Sequence, residues 1–318
     1  MRHRVSVIVP AWNEAAYIEA CVSSIREQVV EADVEVIVAD GSSSDNTAMR
    51  AAGAGAIVVE NPERTTPNGL NHGLAAAKGD VILRFDAHSE MMPGYIQACL
   101  RALDKDPTAV NVGGWCEVKG ISPWGHAVAA ALESPLGVGN PRLWRRPSPG
   151  EGRLYVETVP FGCFRAEALR RAGGWRSDLV RNQDFELNHR LRLAGGRIVF
   201  DPSISFVYRP RESLGALSRQ YREFGRWKAV MLAGSPDSIR PRQLAPLLLV
   251  GTALLALAPG RAGRAGRTGG AVYTSAIALE ARRAGDWRVA PVLAAIHLSW
   301  GIGFLVGSAR ILGRRFRS

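Results

Sequence analysis

Asp86 and His88 stand two residues apart at the end of an apolar run, Ile82-Leu83-Arg84-Phe85-Asp86-Ala87-His88. If the run is a strand, its side chains alternate faces and positions i and i+2 point the same way. A carboxylate and an imidazole on one face could grip one divalent cation, and a cation is what a leaving diphosphate needs to neutralise its growing charge. Mn²⁺ or Mg²⁺ fits such donors: oxygen and imidazole suit the former, and phosphate oxygens complete the shell of either. A loop hydrogen bond is the alternative role for His88.

Two earlier apolar segments end in the same way. Val5–Pro10 runs into Ala11-Trp12-Asn13-Glu14, and Glu35–Asp40 into Gly41-Ser42-Ser43-Ser44-Asp45. Around them the pattern alternates. Tyr17, Cys21 and Ile25 recur every four residues and predict a helix over Glu14–Gln28. Then come a strand over Ala56–Glu60, a helix over Asn68–Lys78, a strand over Val81–Asp86, a helix over Pro93–Asp106 and a strand over Ala109–Val118. Such alternation predicts an α/β domain built on a doubly wound, mostly parallel sheet. Ligands of these sheets sit beyond the carboxyl ends of the strands, which is where Asn13, Asp40 and Asp86 fall. Residues 119–150, rich in Gly, Pro and Trp, are expected to form flexible loops. Beyond them the sequence predicts a strand over Val159–Arg165 and a short helix over Glu167–Ala172. A helix over Phe185–Ala194 is entered through Arg181-Asn182-Gln183-Asp184. Two short strands, Ile198–Asp201 and Ile204–Tyr208, precede a long helix over Ser213–Leu232 that carries Gln220, Arg222, Arg226 and Trp227.

Hydrophobic residues make up 47% of the 318 and charged residues 22%, a globular balance, and the formal net charge of +11 favours anionic partners. No basic helix, zinc module or aromatic RNA-binding strand appears, so nucleic acid is not the expected partner. Cys21, Cys99, Cys116 and Cys163 are scattered without metal or disulfide spacing, which predicts reduced, buried thiols in a cytoplasmic domain. The chain opens on Arg2-His3-Arg4 and a strand rather than a signal peptide, so membrane attachment is expected from the other end. Beyond Pro241 the character changes. Leu244–Pro259 is apolar over about 24 Å of helix, short against a hydrocarbon core of about 30 Å. Val289–Ala309, broken only by His297, reaches about 31 Å and is the better span. Gly269–Leu279 is a marginal third segment. The expected organisation is a catalytic α/β domain over residues 1–235 and a hydrophobic helical, membrane-associated region over residues 236–318. Arg261, Arg264 and Arg267 follow the first apolar segment, and Arg310, Arg314, Arg315 and Arg317 the last. With the catalytic domain on the cytoplasmic face of the cell membrane, single crossings would put the first cluster outside, against the positive-inside tendency. A re-entrant or interfacial first segment removes that conflict.

Five elements occur in a telling order: Val7-Ile8-Val9-Pro10-Ala11-Trp12-Asn13-Glu14, then Val38-Ala39-Asp40-Gly41-Ser42-Ser43-Ser44-Asp45, then Asp86-Ala87-His88-Ser89. Gly162-Cys163-Phe164-Arg165 and Asn182-Gln183-Asp184-Phe185-Glu186 complete the series. Over roughly residues 4–230 the chain resembles family 2 glycosyltransferases. The Asp-Ala-His-Ser variant and the apolar tail look most like the succinoglycan-biosynthesis type of bacterial exopolysaccharide glycosyltransferase. The resemblance implies a GT-A fold, a nucleotide-diphosphate-sugar donor, a divalent metal, inversion at the anomeric carbon and a lipid-linked or polysaccharide acceptor. It places Pro10, Ala11, Asn13 and Glu14 in the first donor loop, Asp40 and Asp45 at nucleotide-recognition positions, and Asn71 near the donor. Asp40 can accept a hydrogen bond from a base N–H, which suits uracil or another base with such a donor, and a UDP-sugar is the favoured donor. Asp86 and His88 fall at the metal. Asp184 falls where a carboxylate takes the acceptor hydroxyl's proton. Arg222, Arg226 and Trp227 fall in an element that meets diphosphate or acceptor.

The match departs from the family pattern in three places. His88 stands where a second carboxylate is commoner, which leaves one fewer negative charge for a metal. Gln183-Asp184 replaces Glu-Asp. Glu223, not glutamine, stands three residues before Arg226, an erosion that argues for one sugar transferred per acceptor. Structural duties compete for the same residues: helix capping for Asn13, Asp45 and Asp184, a helix surface for Asn71, and a solvated helical face for Arg222 and Arg226. Two other functions compete as well. A nucleotidyltransferase would carry a Gly-rich, basic phosphate loop after the first strand, and Pro10-Ala11-Trp12-Asn13-Glu14 has neither glycine nor a basic residue. A non-catalytic nucleotide-sugar scaffold would not need Asp86, His88 and Asp184 together.

Overall fold

A computed structural model describes residues 2–139 and 141–315. The chain divides into two compact units, one of Met1–Glu117 with Arg146–Tyr208, the other of Val118–Arg145 with Arg209–Ser318. The boundary expected near residue 235 therefore falls inside the second unit, which the chain visits twice.

The first unit is an α/β layer structure. Its strands are β1 (His3–Ala11), β2 (Ala32–Asp40), β3 (Ile57–Glu60), β4 (Val81–Arg84), β5 (Ala109–Val118), β6 (Leu154–Tyr155), β7 (Cys163–Arg165) and β8 (Arg197–Tyr208). They form one sheet in the order β3-β2-β1-β4-β7-β5-β8-β6. The pairs β1/β2, β1/β4 and β2/β3 are parallel, as strand–helix alternation requires. Beyond β4 the sheet turns mixed. β7 inserts between β4 and β5, antiparallel to both, because the chain re-enters from the other unit and not through a crossover helix. Val5, Val7, Ile8 and Val9 are all buried, so β1 is covered on both faces and its apolar run is unbroken.

Helices α1 (Ile18–Arg26), α2 (Thr47–Gly53), α3 (Thr66–Ala76), α4 (Tyr95–Lys105), α6 (Ala166–Arg171) and α7 (Gln183–Leu193) belong to this unit. α3 lies flush on β1, where a Cβ at Gly73 would come 2.3 Å from the Ile8 side chain. α4 buries Ile96, Cys99, Leu100 and Leu103 at helical spacing. All four cysteines are buried and free, as their spacing predicted.

The second unit is helical. Its first element, α5 (Pro123–Glu133), occupies the stretch expected to be loop. Ser122 caps it by accepting from the Gly125 N–H, and Pro123 opens it. The turn signals that argued for loop are thus a helix start. α8 (Leu214–Gly234), α9 (Ala245–Leu255), α10 (Gly260–Ala284) and α11 (Val289–Arg315) complete the unit. The marginal segment Gly269–Leu279 is the middle of α10. Just before it, Gly266 lets α10 meet the chain after α9 closely: a Cβ there would lie 2.3 Å from the Ala256 nitrogen. Val289–Gly313 is long and apolar enough to cross a membrane by length and composition, whereas Pro241–Leu255 is shorter. His297, which interrupts that run, is fully used. Its Nε2–H donates to the Leu136 carbonyl at 2.7 Å, and its Nδ1 accepts from Tyr273 Oη at 3.0 Å. Beside it the Ser134 hydroxyl donates to Glu280 at 2.6 Å. Arg317, and the side chains of Arg314 and Arg315, lie outside the described residues.

Candidate active site

The carboxyl ends of β1, β2 and β4 lie side by side, with Ala11 opposite Asp40 and Ile8 opposite Arg84. The loops leaving β1 and β2 are fastened to each other. The Asn13 N–H donates to Ser43 Oγ at 2.9 Å, and Asn13 Oδ1 accepts the Ser44 N–H at 2.8 Å. Asn13 and Ser42 both sit at positive φ, 54° and 53°, where asparagine is better tolerated than most residues. Asp40 receives the Ser43 N–H at 3.0 Å and the Ser43 hydroxyl at 2.6 Å. Asp45 accepts from the Thr47 N–H and hydroxyl and from the Ala15 N–H, and the Thr47 hydroxyl holds its carboxyl below the usual range. Asp45 thus braces the β1 loop through Ala15 and also takes the first N–H of α2, whose N-cap position is Asn46. Asn13 likewise ties two loops together and caps no helix. Pro10 and Ala11 form the last residues of β1 under this loop pair, and Glu14 follows it, its N–H held by Thr47 Oγ1 at 2.8 Å.

Asp86 and His88 do not follow strand alternation. β4 ends at Arg84, and Asp86–Ser89 is a turn closed by the Ser89 N–H on the Asp86 carbonyl at 3.0 Å. His88 Nδ1 lies 3.2 Å from Glu14 Oε1, while Asp86 Oδ1 accepts from Arg84 Nη2 at 2.7 Å. Among the described residues no three His, Cys, Asp or Glu side chains gather as a metal cluster.

Arg84 organises the centre. Its Nη1 donates to Asp184 Oδ2 at 2.8 Å while Nη2 holds Asp86, so one guanidinium bridges the two carboxylates. The arginine side chain is 11% exposed and the carboxylates 27% and 25%. Burial works against its charge, but Asp184 and Asp86 outweigh that and raise its pKa further. The Phe161 ring lies beneath, 5.5 Å from the guanidinium carbon. Phe161 holds a φ of 44°, rare for an aromatic residue, and its ring packs on Phe85 and Phe206.

Asp184 lies in the first turn of α7, whose N-cap is Asn182, so Asp184 is not the cap. Its second oxygen, Oδ1, accepts the Trp175 indole N–H at 3.0 Å. Trp175 is buried edge-on against Phe164. Asn71 clamps its backbone, with Nδ2 donating to the Trp175 carbonyl at 2.7 Å and Oδ1 accepting its N–H at 2.9 Å. The close approach needs Gly174, at φ 69°, where a Cβ would come 2.5 Å from Asn71 Oδ1. One N–H and one lone pair of the half-buried Asn71 amide are thus engaged by Trp175. Sequence patterns pointed to neither Arg84 nor Trp175. The signal for the first was available: a single charged residue inside Val81–Phe85.

Arg222, Arg226 and Trp227 lie on α8 of the second unit. Arg226 Nη2 pairs with Glu223 at 2.7 Å, the residue that replaces the family's glutamine, and its guanidinium lies 5.3 Å from the Trp227 ring centre.

The sequence model of glycosyl transferase family 2 matches residues 6–172. The chain belongs to this family. Succinoglycan biosynthesis protein ExoA of Rhizobium meliloti (strain 1021) is 30% identical to this glycosyltransferase over 259 residues, 79% of the chain and 77% of ExoA. A dolichyl N-acetyl-alpha-D-glucosaminyl phosphate 3-beta-D-2,3-diacetamido-2,3-dideoxy-beta-D-glucuronosyltransferase of Methanococcus voltae is 23% identical, covering 72% and 74% of the two chains. Among solved structures, the mannosyltransferase PcManGT of Pyrobaculum calidifontis, in complex with GDP-Man and Mn²⁺, superposes with a TM-score of 0.61 at 21% identity, covering 94% and 87%. S. aureus TarS 1–349 superposes at 0.54 with 16% identity, covering 98% and 92%. These likenesses give the glycosyltransferase a GT-A fold, with a C-terminal apolar helix.

Proposed function

We propose that this glycosyltransferase moves a sugar, with inversion, from a nucleotide-diphosphate donor to a lipid-linked or polysaccharide acceptor in cell-surface polysaccharide synthesis. The observation that carries the reading is the Arg84 bridge, which holds Asp86 and Asp184 together at the strand ends beside the fastened β1 and β2 loops. Asp184 is the base: with one oxygen on Arg84 and the other on Trp175, its orientation is fixed before the acceptor arrives, and it takes the acceptor hydroxyl's proton as the new C–O bond forms. Asp40 and the loop of Pro10, Ala11, Asn13 and Glu14 bind the nucleoside, and Asp45 keeps that loop in place. Arg222, Arg226 and Trp227 are assigned to diphosphate or acceptor.

The donor set suits a divalent cation with few protein ligands. Asp86 keeps Oδ2 outside the arginine bridge, His88 offers imidazole nitrogen, and donor phosphates would supply the remaining oxygens. Bound there, Mn²⁺ or Mg²⁺ would stabilise the charge of the leaving diphosphate. The neighbour solved with GDP-Man and Mn²⁺ supports that reading, and the kinship with ExoA supports an exopolysaccharide role. The apolar C-terminal helices would hold the enzyme at the membrane beside a lipid-borne acceptor and raise its effective concentration.

A donor screen tests the proposal. Purified protein is incubated with UDP-, GDP- and dTDP-sugars, with Mn²⁺ or chelator, and thermal shift and slow donor hydrolysis are recorded. Stabilisation by UDP-sugars that needs metal and is lost in Asp86→Ala supports it. Stabilisation by another nucleotide class redirects the Asp40 assignment, stabilisation without hydrolysis favours a non-catalytic scaffold, and no response to any nucleotide sugar overturns the reading in favour of a polyprenyl-phosphate sugar donor.

A further inference from the structure

The apolar run of α11 has a charged partner along its length. A Cβ on Gly303 would lie 2.0 Å from the Arg222 carbonyl oxygen, one on Gly307 2.7 Å from that of Arg226, and one on Gly225 2.0 Å from that of Trp300. These glycines let the backbones of α8 and α11 meet over the turn that carries Arg222, Glu223 and Arg226. The contact falls near the middle of Val289–Gly313. Were α11 to cross a bilayer, that turn would be drawn toward the hydrocarbon midplane, where such side chains are strongly disfavoured.

The opposite face of α11 is apolar and open, with Ile302, Leu305 and Leu312 exposed. α9, whose Pro246 carbonyl and Val250 meet Gly301, adds exposed Leu248 and Leu254, and Leu257 follows. Arg261 and Arg264, at the start of α10, and Arg310, near the end of α11, are exposed as well. α11 is itself apolar nearly all round, so the two-faced unit is the pair, with charged α8 on one side, the open apolar face of α11 on the other and arginines nearby, an arrangement that suits a lipid interface.

We propose that the second unit rests on an anionic lipid bilayer with α11 in the membrane plane, not across it. The proposal deepens the membrane-associated reading above and depends on it. It also leaves Arg261, Arg264 and Arg310 on one side, which removes the positive-inside conflict.

The test places single cysteines at exposed Ala284→Cys and Gly313→Cys, either side of α11, in the full chain. The four native cysteines are buried, so labelling background is low. In inverted membrane vesicles from expressing cells, both sites are expected to react with a membrane-impermeant maleimide, and neither in right-side-out vesicles. Reaction of the two sites from opposite sides overturns the in-plane arrangement while leaving membrane association intact. Absence of the protein from the membrane fraction overturns both. In a second measurement, purified protein is expected to bind phosphatidylglycerol-containing vesicles more tightly than phosphatidylcholine vesicles. Leu257→Asp, at an 84% exposed position, is expected to weaken that binding by about tenfold. Unchanged binding overturns the apolar contact.

Discussion

Arg84 Nη1 lies 2.8 Å from Asp184 Oδ2, joining residues 100 apart in sequence. The same guanidinium holds Asp86, so strand β4 and helix α7 are tied by one side chain beside the proposed base. Lysine carries its three donors on one nitrogen and cannot reproduce the planar fork that reaches Asp184 from Nη1 and Asp86 from Nη2. Arg84→Lys is expected to fold with a lowered melting temperature and to lose most turnover. Arg84→Met, which strands two partly buried carboxylates, is expected to lose roughly 3 kcal/mol of stability. Thermal unfolding and initial rates check both; wild-type turnover in Arg84→Lys would refute the bridge's role.

Asp184→Asn should separate binding from chemistry. The amide keeps the size of the side chain but accepts no proton, so turnover is expected to fall by roughly 10²–10⁴-fold. Donor affinity, measured by titration calorimetry, is expected to stay near wild type. A large loss of affinity with modest loss of rate would move the base elsewhere.

Asn71 gives a sharper discrimination. It acts on Asp184 through Trp175, so Asn71→Ala is expected to lower kcat and to cost about 2 kcal/mol of stability through two lost hydrogen bonds. The dissociation constant for nucleotide should hardly change. If Asn71 instead met the donor, nucleotide affinity would fall first.

His3 makes stability depend on pH. Burial depresses its pKa, but hydrogen bonds to Asp80 at 2.6 Å and Asp104 at 3.0 Å outweigh this, and the net shift is upward from 6.5. A raised folded pKa means the contribution is complete below 6.5 and fades as pH climbs through the folded value. Asp80, shifted downward from 3.8, adds stability present above that value and lost as pH falls through its folded one. The melting temperature is therefore expected to decline as pH rises above about 6.5, and His3→Gln to flatten that decline. A wild-type profile without slope in this window would refute it.

The strand ends were legible because apolar runs closed by Asn13, Asp40 and Asp86 carry their own stop signals. Less legible was what happens one residue later. Alternation would have put Asp86 and His88 on one face, but β4 stops at Arg84 and a turn resets the geometry. Two short strands were expected where β8 is one, continuous through Pro202. β6 pairs only with Val199 and Phe200, so the missing N–H lies past that partner's end. α5 was hidden because Ser122 and Pro123, which start a helix, read as turn residues, and because the partners of the segment after it, Glu280 and His297, lie 146 and 161 residues downstream of Ser134 and Leu136. Trp175 was hidden for the same reason: its role is set by contacts with Asn71 and Asp184 that no local pattern encodes.

The early placement of α5 has a consequence for biogenesis. Leu136 emerges from the ribosome 161 residues ahead of His297, whose imidazole it receives. At about 5–20 residues per second that interval lasts roughly 8–32 s. For that time the apolar side of α5 has no native cover, although the strands before it are already complete. A nascent chain halted between the two is a natural client for a chaperone. Shortening the gene after α8 would leave the same surface of α5 permanently bare, so a chain trimmed there is expected to be less soluble than the whole protein.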